Sequence, residues 1–184
     1  MNIRTLCLAI LSAGDATGYE IRKSSMEGKY SYFVDASYGA IYPALNKLEA
    51  DGCVTCREEI HPGKPARKVY SITEAGRAEL VAALCEAPGK DVFRSEFLLI
   101  AMSASRLPRA VIERAIATRE AQLTEELEQI RSLHMNAQDP GAIWVCEYGM
   151  ACMGQSLSHL QSTKAQLLAA TGGETETGRQ DAAE

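Results

Sequence analysis

Two short segments constrain this chain more than any other feature: CVTCREEI (53–60) and RKVYSIT (67–73), rich in β-branched and aromatic residues. Almost everywhere else the apolar residues recur at helical spacing. Between the two segments lies HPGKPA (61–66), so together they predict a hairpin of two short strands joined by a Pro/Gly-rich turn. Three helices are predicted before the hairpin. Residues 2–12 carry Ile3, Leu6, Cys7, Ile10 and Leu11 at i, i+3, i+4, i+7 and i+8, the stripe of an amphipathic helix. Thr17 is placed to cap a second helix from Gly18 onward. Ser37 can cap a third within SYGAIYPALNKLEADGCV (37–54), stopping at Asp51-Gly52, with Tyr38, Ile41, Leu45 and Leu48 on its inward stripe. Pro43 falls six residues after Ser37, which predicts a kinked or 3₁₀-like first turn pressing on Gly39. After the hairpin, Thr73-Glu74 starts a fourth helix with the acid where the helix dipole favours it and with Leu80, Val81 and Leu84 as its apolar positions.

EAPGKD (86–91) breaks the pattern and reads as a boundary. VFRSEFLLIAMSAS (92–105) then predicts an apolar helix stopped by RLPR (106–109). From Pro108 a further helix runs to residue 135 or so, with Ile112, Ile116, Leu123, Leu127 and Ile130 along one side, and NAQDPG (136–141) ends it. In the last helix Ile143, Cys146, Met150, Met153, Leu157, Leu160, Lys164 and Leu167 alternate by three and four, a heptad seam interrupted only by Lys164. TGGETETGRQDAAE (171–184) is polar and rich in small residues, and disorder is expected. The predicted fold class is therefore mainly α with a small β-hairpin. A winged helix-turn-helix occupies 1–88, a helical C-terminal region 89–170, and a disordered tail 171–184. Winged domains lay the third helix in the major groove of DNA and reach the flanking groove with the hairpin.

Composition excludes several classes. The net charge is −5, with 10 Lys+Arg against 11 Asp+Glu before Gly89 and 9 against 13 from there on, so bulk charge argues against nucleic acid and only local clustering argues for it. No run of 18 apolar residues is present, and the N-terminal apolar segment reads as a core helix rather than a leader; the expectation is a cytoplasmic protein with no membrane partner. Of six cysteines only Cys53 and Cys56 have a metal-like spacing, and on a strand they would point to opposite faces, so neither a metal nor any cofactor is expected. His134 and His159 are isolated, and Glu125, Glu126 and Glu128 read as a solvated helix face. With no nucleophile motif, phosphate loop or paired acids, the chain is not expected to be an enzyme.

The third helix leaves Ser37, Gly39, Tyr42, Asn46 and Lys47 for its outer side: small residues near the start for close approach, then hydrogen-bonding groups. The predicted wing places Lys64, Arg67 and Lys68 beside two prolines, and Arg22 and Lys23 add positive charge from the second helix. Tyr38 is the ambiguous member of the DNA-facing set, since its stripe also places it in the core.

GYEI (18–21), SYGAIYPALNKLEADGCV (37–54) and GKPARKVYSITEAGRAEL (63–80) resemble, in order and spacing, the PadR family of bacterial transcriptional regulators. The resemblance covers roughly the first 85 residues, and the remainder is more loosely similar to the helical C-terminal region of the longer PadR subfamily. It implies that Ile41-Tyr42-Pro43 lies on the recognition helix, followed by a basic wing and the Tyr70-Ser71-Ile72-Thr73-Glu74-Ala75-Gly76 helix start. It further implies a regulator, expected to be a repressor, that binds a palindromic operator in double-stranded DNA as a homodimer. Ile143, Cys146, Met150, Met153, Leu157, Leu160 and Leu167 would then form the dimer interface; the alternative is a hairpin with the 108–135 helix of the same chain. Phe93, Phe97, Met102 and Trp144, with Met150 and Met153, are candidates for a small-molecule effector pocket, against plain core as the alternative. The rival functions are a winged helix that binds protein and a thiol sensor built on Cys53 and Cys56.

Overall fold

The computed structural model describes residues 2–26, 30, 33, 39–60 and 66–172. The chain divides into two compact units, 1–91 and 92–184. The first contains α1 (Ile3–Ser12), β1 (Ala16–Thr17), α2 (Gly18–Met26), α3 (Ile41–Ala50), β2 (Val54–Glu59), β3 (Arg67–Ile72) and α4 (Glu74–Cys85). The hairpin runs in antiparallel register from Val54 opposite Ile72 to Glu59 opposite Arg67. A third strand, β1, joins its other edge with Ala16 opposite Tyr70 and Thr17 opposite Val69, giving the order β1-β3-β2. Two residues carry no period, so β1 leaves no trace in the sequence pattern.

α1 packs on α2, α3, α4 and β3, and it buries more than the predicted stripe. Thr5 and Leu8 are enclosed along with Leu6, Cys7, Ile10 and Leu11, and Ile21, Ile41, Leu45, Leu48, Val54 and Tyr70 close the core around them. Cys7 is a small core hydrophobe whose thiol burial pushes up to about 12. α4 contributes less than expected: Leu80 and Gly76 are buried, whereas Val81 and Leu84 are exposed.

α3 begins at Ile41 with Ala40 as its N-cap, so the helix does not extend back to Ser37, which with Tyr38 lies outside the described residues. This corrects the reading of Pro43. Counted from Ala40, Pro43 is the third helical residue, and the first ladder bond, from Ala44 N to Ala40 O at 3.2 Å, comes after it. An N–H at that position has no intrahelical partner, so the proline costs the ladder nothing and no kink is required.

The base of the hairpin is a knot of short contacts. Cys53 N–H donates to Leu48 O at 2.9 Å, ending α3, and Cys53 O accepts from Thr73 N at 3.1 Å. Thr73 Oγ1 donates to Gly52 O and accepts from Gly76 N, capping α4 as predicted. Gly52 makes the turn at φ +73°, a left-handed conformation that favours glycine. Gly76 is required for space, since a Cβ there would stand 2.1 Å from Cys53 O and 2.9 Å from Ile72 Cγ1. Arg4 binds this knot from α1, donating to both carboxylate oxygens of Glu79 and to Asp51. The guanidinium holds the Glu79 carboxyl down at about 2, and the Cys53 thiol, donating to Glu79 at 3.1 Å, is pushed up.

The second unit holds α5 (Glu96–Met102), a 3₁₀ turn at Ala104–Arg106, α6 (Arg109–Asn136) and α7 (Pro140–Ala169). The apolar helix expected over 92–105 is shorter at both ends: Ser95 caps its start, accepting from Leu98 N, and it ends at Met102 ahead of the 3₁₀ turn. The buried residues of α6 are Ile112, Ile116, Leu123, Leu127 and Ile130, the predicted stripe. Asp139 caps α7, with Pro140 in its first turn. The seam of α7 faces α6 of the same chain: Leu160 is buried among Ile112, Ile116 and Leu123, with Met153, Leu157 and Leu167 packed against them. Beyond α7, Gly172 N donates to Ala104 O at 3.2 Å; 173–184 lie outside the described residues.

Two expectations follow. Gly76→Ala should lower stability by about 1–3 kcal/mol, because backbone rather than a flexible side chain must move; thermal unfolding of the two proteins measures it. Glu79→Gln should cost about 1 kcal/mol at neutral pH, since the pair with Arg4 is partly exposed. A carboxyl depressed from 4.5 to about 2 contributes stability that is present above 4.5 and lost as pH falls toward 2. Urea unfolding across that range should therefore show a shallower acid loss in the variant than in the parent.

Candidate nucleic-acid interface

Ile41, Leu45 and Leu48 turn one face of α3 into the core, which leaves Tyr42, Asn46 and Lys47 exposed on the other. Tyr42 and Asn46 are four residues apart and therefore neighbours on the helix surface. They line an open cleft of about 590 Å³ whose other walls are Thr17, Gly18, Tyr19 and Glu20 at the start of α2 and Arg67, Lys68 and Tyr70 on β3. The start of α3, with its partial positive charge, lies at the same place. Thus the structure brings together Tyr42, Asn46, Arg67 and Lys68 from the predicted set. Lys47 is exposed outside the cleft lining, and Gly39 lies in the turn before α3 with open space around it. Arg22 sits 5.4 Å from the Tyr19 ring centroid, and Lys23 is exposed on α2; neither lines the cleft. Ser37, Tyr38 and Lys64 lie outside the described residues.

The α2 wall is not among the predicted site residues, although its sequence holds a clue. Thr17 N donates to Glu20 Oε2 at 2.8 Å and Glu20 N donates to Thr17 Oγ1 at 3.2 Å, the reciprocal capping box that T-x-x-E encodes. Donation from the Thr17 N–H, and from the Thr17 hydroxyl at 2.8 Å, holds the Glu20 carboxyl below its ordinary value.

The cations of the wing stand beside acids. Arg67 donates to Glu59 through Nη2 at 2.9 Å and Nε at 3.2 Å, and Glu59 also accepts from Arg57 at 3.2 Å. Arg57 is bound in addition to Asp15 at 2.6 Å and Ser71 at 2.9 Å. Arg67, the larger influence, and Arg57 hold the Glu59 carboxyl below its usual range, so it stays ionised. Glu58 stands opposite Lys68 in the register. The linear sequence shows the cations of 64–68 as a cluster; strand pairing sets β2 acids directly across from two of them.

The helical-unit predictions fare differently. Of the proposed effector residues, Phe97 packs on the helical core, whereas Phe93 and Met102 are 78% and 79% exposed and Trp144, at 63%, stacks on Tyr148. Phe93 precedes the Ser95 cap and Met102 closes a helix of 7 residues, so neither is carried into a closed cavity. The seam residues proposed for a dimer are used within the chain: Leu160 is buried, and Ile143, Cys146, Met150, Met153, Leu157 and Leu167 are half-buried. All six cysteines are free, Cys53 donates to Glu79, and Cys56 stands opposite Tyr70 on β2. Among the described residues no group of acids, histidines and cysteines could hold a metal ion, and no helix is long and apolar enough to cross a membrane.

Residues 7–82 match the transcriptional regulator PadR-like family. The negative transcriptional regulator PadR of Bacillus subtilis is 34% identical over 103 residues, which are 55% of this chain and 56% of that protein, so the chain spans about half the length of this curated relative. The smu.1604c protein of Streptococcus mutans is 30% identical in a structural match covering 90% of this chain and 99% of that one, with a TM-score of 0.78. The crystal structure of Bacillus subtilis PadR in complex with operator DNA matches at a TM-score of 0.71 and 25% identity, covering 89% and 98% of the two chains. The matched residues contain α3, the hairpin and most of α4, the same elements that build the cleft and the knot at the hairpin base, and over residues 7–82 the chain belongs to the PadR-like family of transcriptional regulators.

Proposed function

We propose that the chain is a repressor that binds a palindromic operator as a homodimer, with α3 in the major groove and the β2–β3 wing on the flanking groove. The observation that carries this reading is the cleft where Tyr42 and Asn46 meet Arg67 and Lys68, two hydrogen-bonding side chains on a helix beside two cations on a strand. The relative solved with operator DNA and the name of the negative regulator from the same organism support it. A two-fold dimer would present two copies of α3 about one duplex turn, ~34 Å, apart. Its interface is assigned to the helical unit, where the half-buried Ile143, Cys146 and Met150 adjoin in sequence the exposed Trp144, Val145 and Tyr148. A small-molecule effector would act by binding DNA-competent and incompetent dimers with different affinity.

Fluorescence anisotropy on a duplex from upstream of the chain's own gene, read at several salt concentrations, tests the site. Replacing Lys64, Arg67 and Lys68 by alanine should weaken binding to every sequence and lower the salt slope by about 0.9 for each phosphate no longer neutralised. Unchanged affinity and slope would remove the wing from the interface. Glu59→Gln should tighten binding by about 2- to 5-fold, because Arg67 and Arg57 lose the half-buried carboxylate that competes with phosphate. Sedimentation of the free protein and of its DNA complex reads the dimer.

A further inference from the structure

Gly18 is buried at the first position of α2. Its backbone does not demand glycine, since the glycines of positive φ among the described residues are Gly14 and Gly52. Space demands it. A Cβ at Gly18 would stand 2.6 Å from Tyr42 Cε1 and 3.4 Å from both Cδ1 and Cζ. The edge of the Tyr42 ring therefore rests on a backbone that no side chain covers.

The seat itself is fixed from two sides. Thr17 pairs with Val69 in β3, which ties the seat to the wing two residues from Arg67. The capping box between Thr17 and Glu20 locks the start of α2. Tyr42 then carries the constraint into α3, where it shares the cleft with Asn46. Wing, second helix and third helix thus meet around one residue without a side chain.

We propose that Gly18 is a positioning residue for DNA recognition: its bare Cα sets where Tyr42 presents its hydroxyl, in register with Asn46 and with Arg67 and Lys68 across the cleft. This rests on the reading that Tyr42 faces DNA. Gly18 itself touches no DNA in this scheme and acts only through the ring. An alanine at 18 pushes the ring off its seat. Tyr42 is 45% exposed, so the ring can swing outward without opening the core. The domain stays folded while one recognition group is turned out of aim.

A double-mutant cycle with the full chain and the upstream duplex separates these parts. Tyr42→Ala is expected to weaken binding by about 10-fold, the loss of one hydrogen bond to a charged group, and Gly18→Ala by a similar factor. In the Tyr42→Ala background, Gly18→Ala should cost nothing further, because the group it acts through is gone. Additive losses would overturn the proposal. A Gly18→Ala protein that binds as the parent does, beside a weakened Tyr42→Ala, would overturn it while leaving Tyr42 at the DNA. Full affinity in Tyr42→Ala would remove Tyr42 from the interface and the proposal with it. Thermal unfolding of all four proteins completes the cycle: any stability lost in Gly18→Ala should return in the double variant, and a loss that persists there means Gly18 is needed for something other than the ring.

Discussion

The first unit depends on one backbone junction, the peptide of Cys53. Its N–H ends α3, its carbonyl accepts from Thr73 at the end of β3, and Gly76 of α4 lies against that same carbonyl so closely that no side chain fits between. Pairing of the two wing strands starts one residue later, with Val54 opposite Ile72. Antiparallel pairing propagates register with a period of two, so fixing this end decides which residues stand opposite each other at the far end. Arg4 reaches the same junction from α1 through Glu79 and Asp51, and so joins α1 to the knot at the hairpin base. The orientation of α3 relative to the wing is therefore set by hydrogen bonds and close backbone contact at one point, with hydrophobic burial behind them.

Charge in this domain is organised by pairing rather than by excess. Arg57 and Arg67 share Glu59, and Arg57 also holds Asp15. The two arginines and Asp15 are about half exposed and Glu59 is 29% exposed, and ion pairs open to solvent are worth little because water screens them and long side chains lose freedom in them. A guanidinium in such a pair is held at a defined place yet exchanges its carboxylate for another anion at low cost. An acidic chain with net charge −5 can in this way offer cations locally without carrying a basic surface everywhere.

In the helical unit, a heptad seam on one helix establishes that a partner exists but not which one. α6 supplies it here, and the stripe of Ile112, Ile116 and Leu123 meets Leu160 and its neighbours on α7. Ile130 approaches Gly149 so closely that a Cβ there would come within 3.2 Å of it. What α7 leaves outside is a different set, with Trp144 and Tyr148 stacked on each other 5.5 Å apart.

The order of helices and the hairpin, the caps at Thr17 and Thr73, and the buried stripe of α6 follow from the sequence alone, because each is set by neighbours within a turn or two. The start of α3 departs from expectation for a local reason: Ser37 is a good cap, but Pro43 belongs in a first turn, and it fits there when the helix begins at Ile41. Of the candidate interface, the exposed face of α3 is legible from periodicity. What is not legible is everything that depends on residues distant in sequence meeting in space. β1 exists only by pairing with β3, Glu59 neutralises Arg67 only through strand register, and Gly18 matters only because Tyr42 lies on it. Local propensity wrote the elements; the tertiary structure decided which charges are shared and which side chain rests on which, since those are properties of contact and not of spacing.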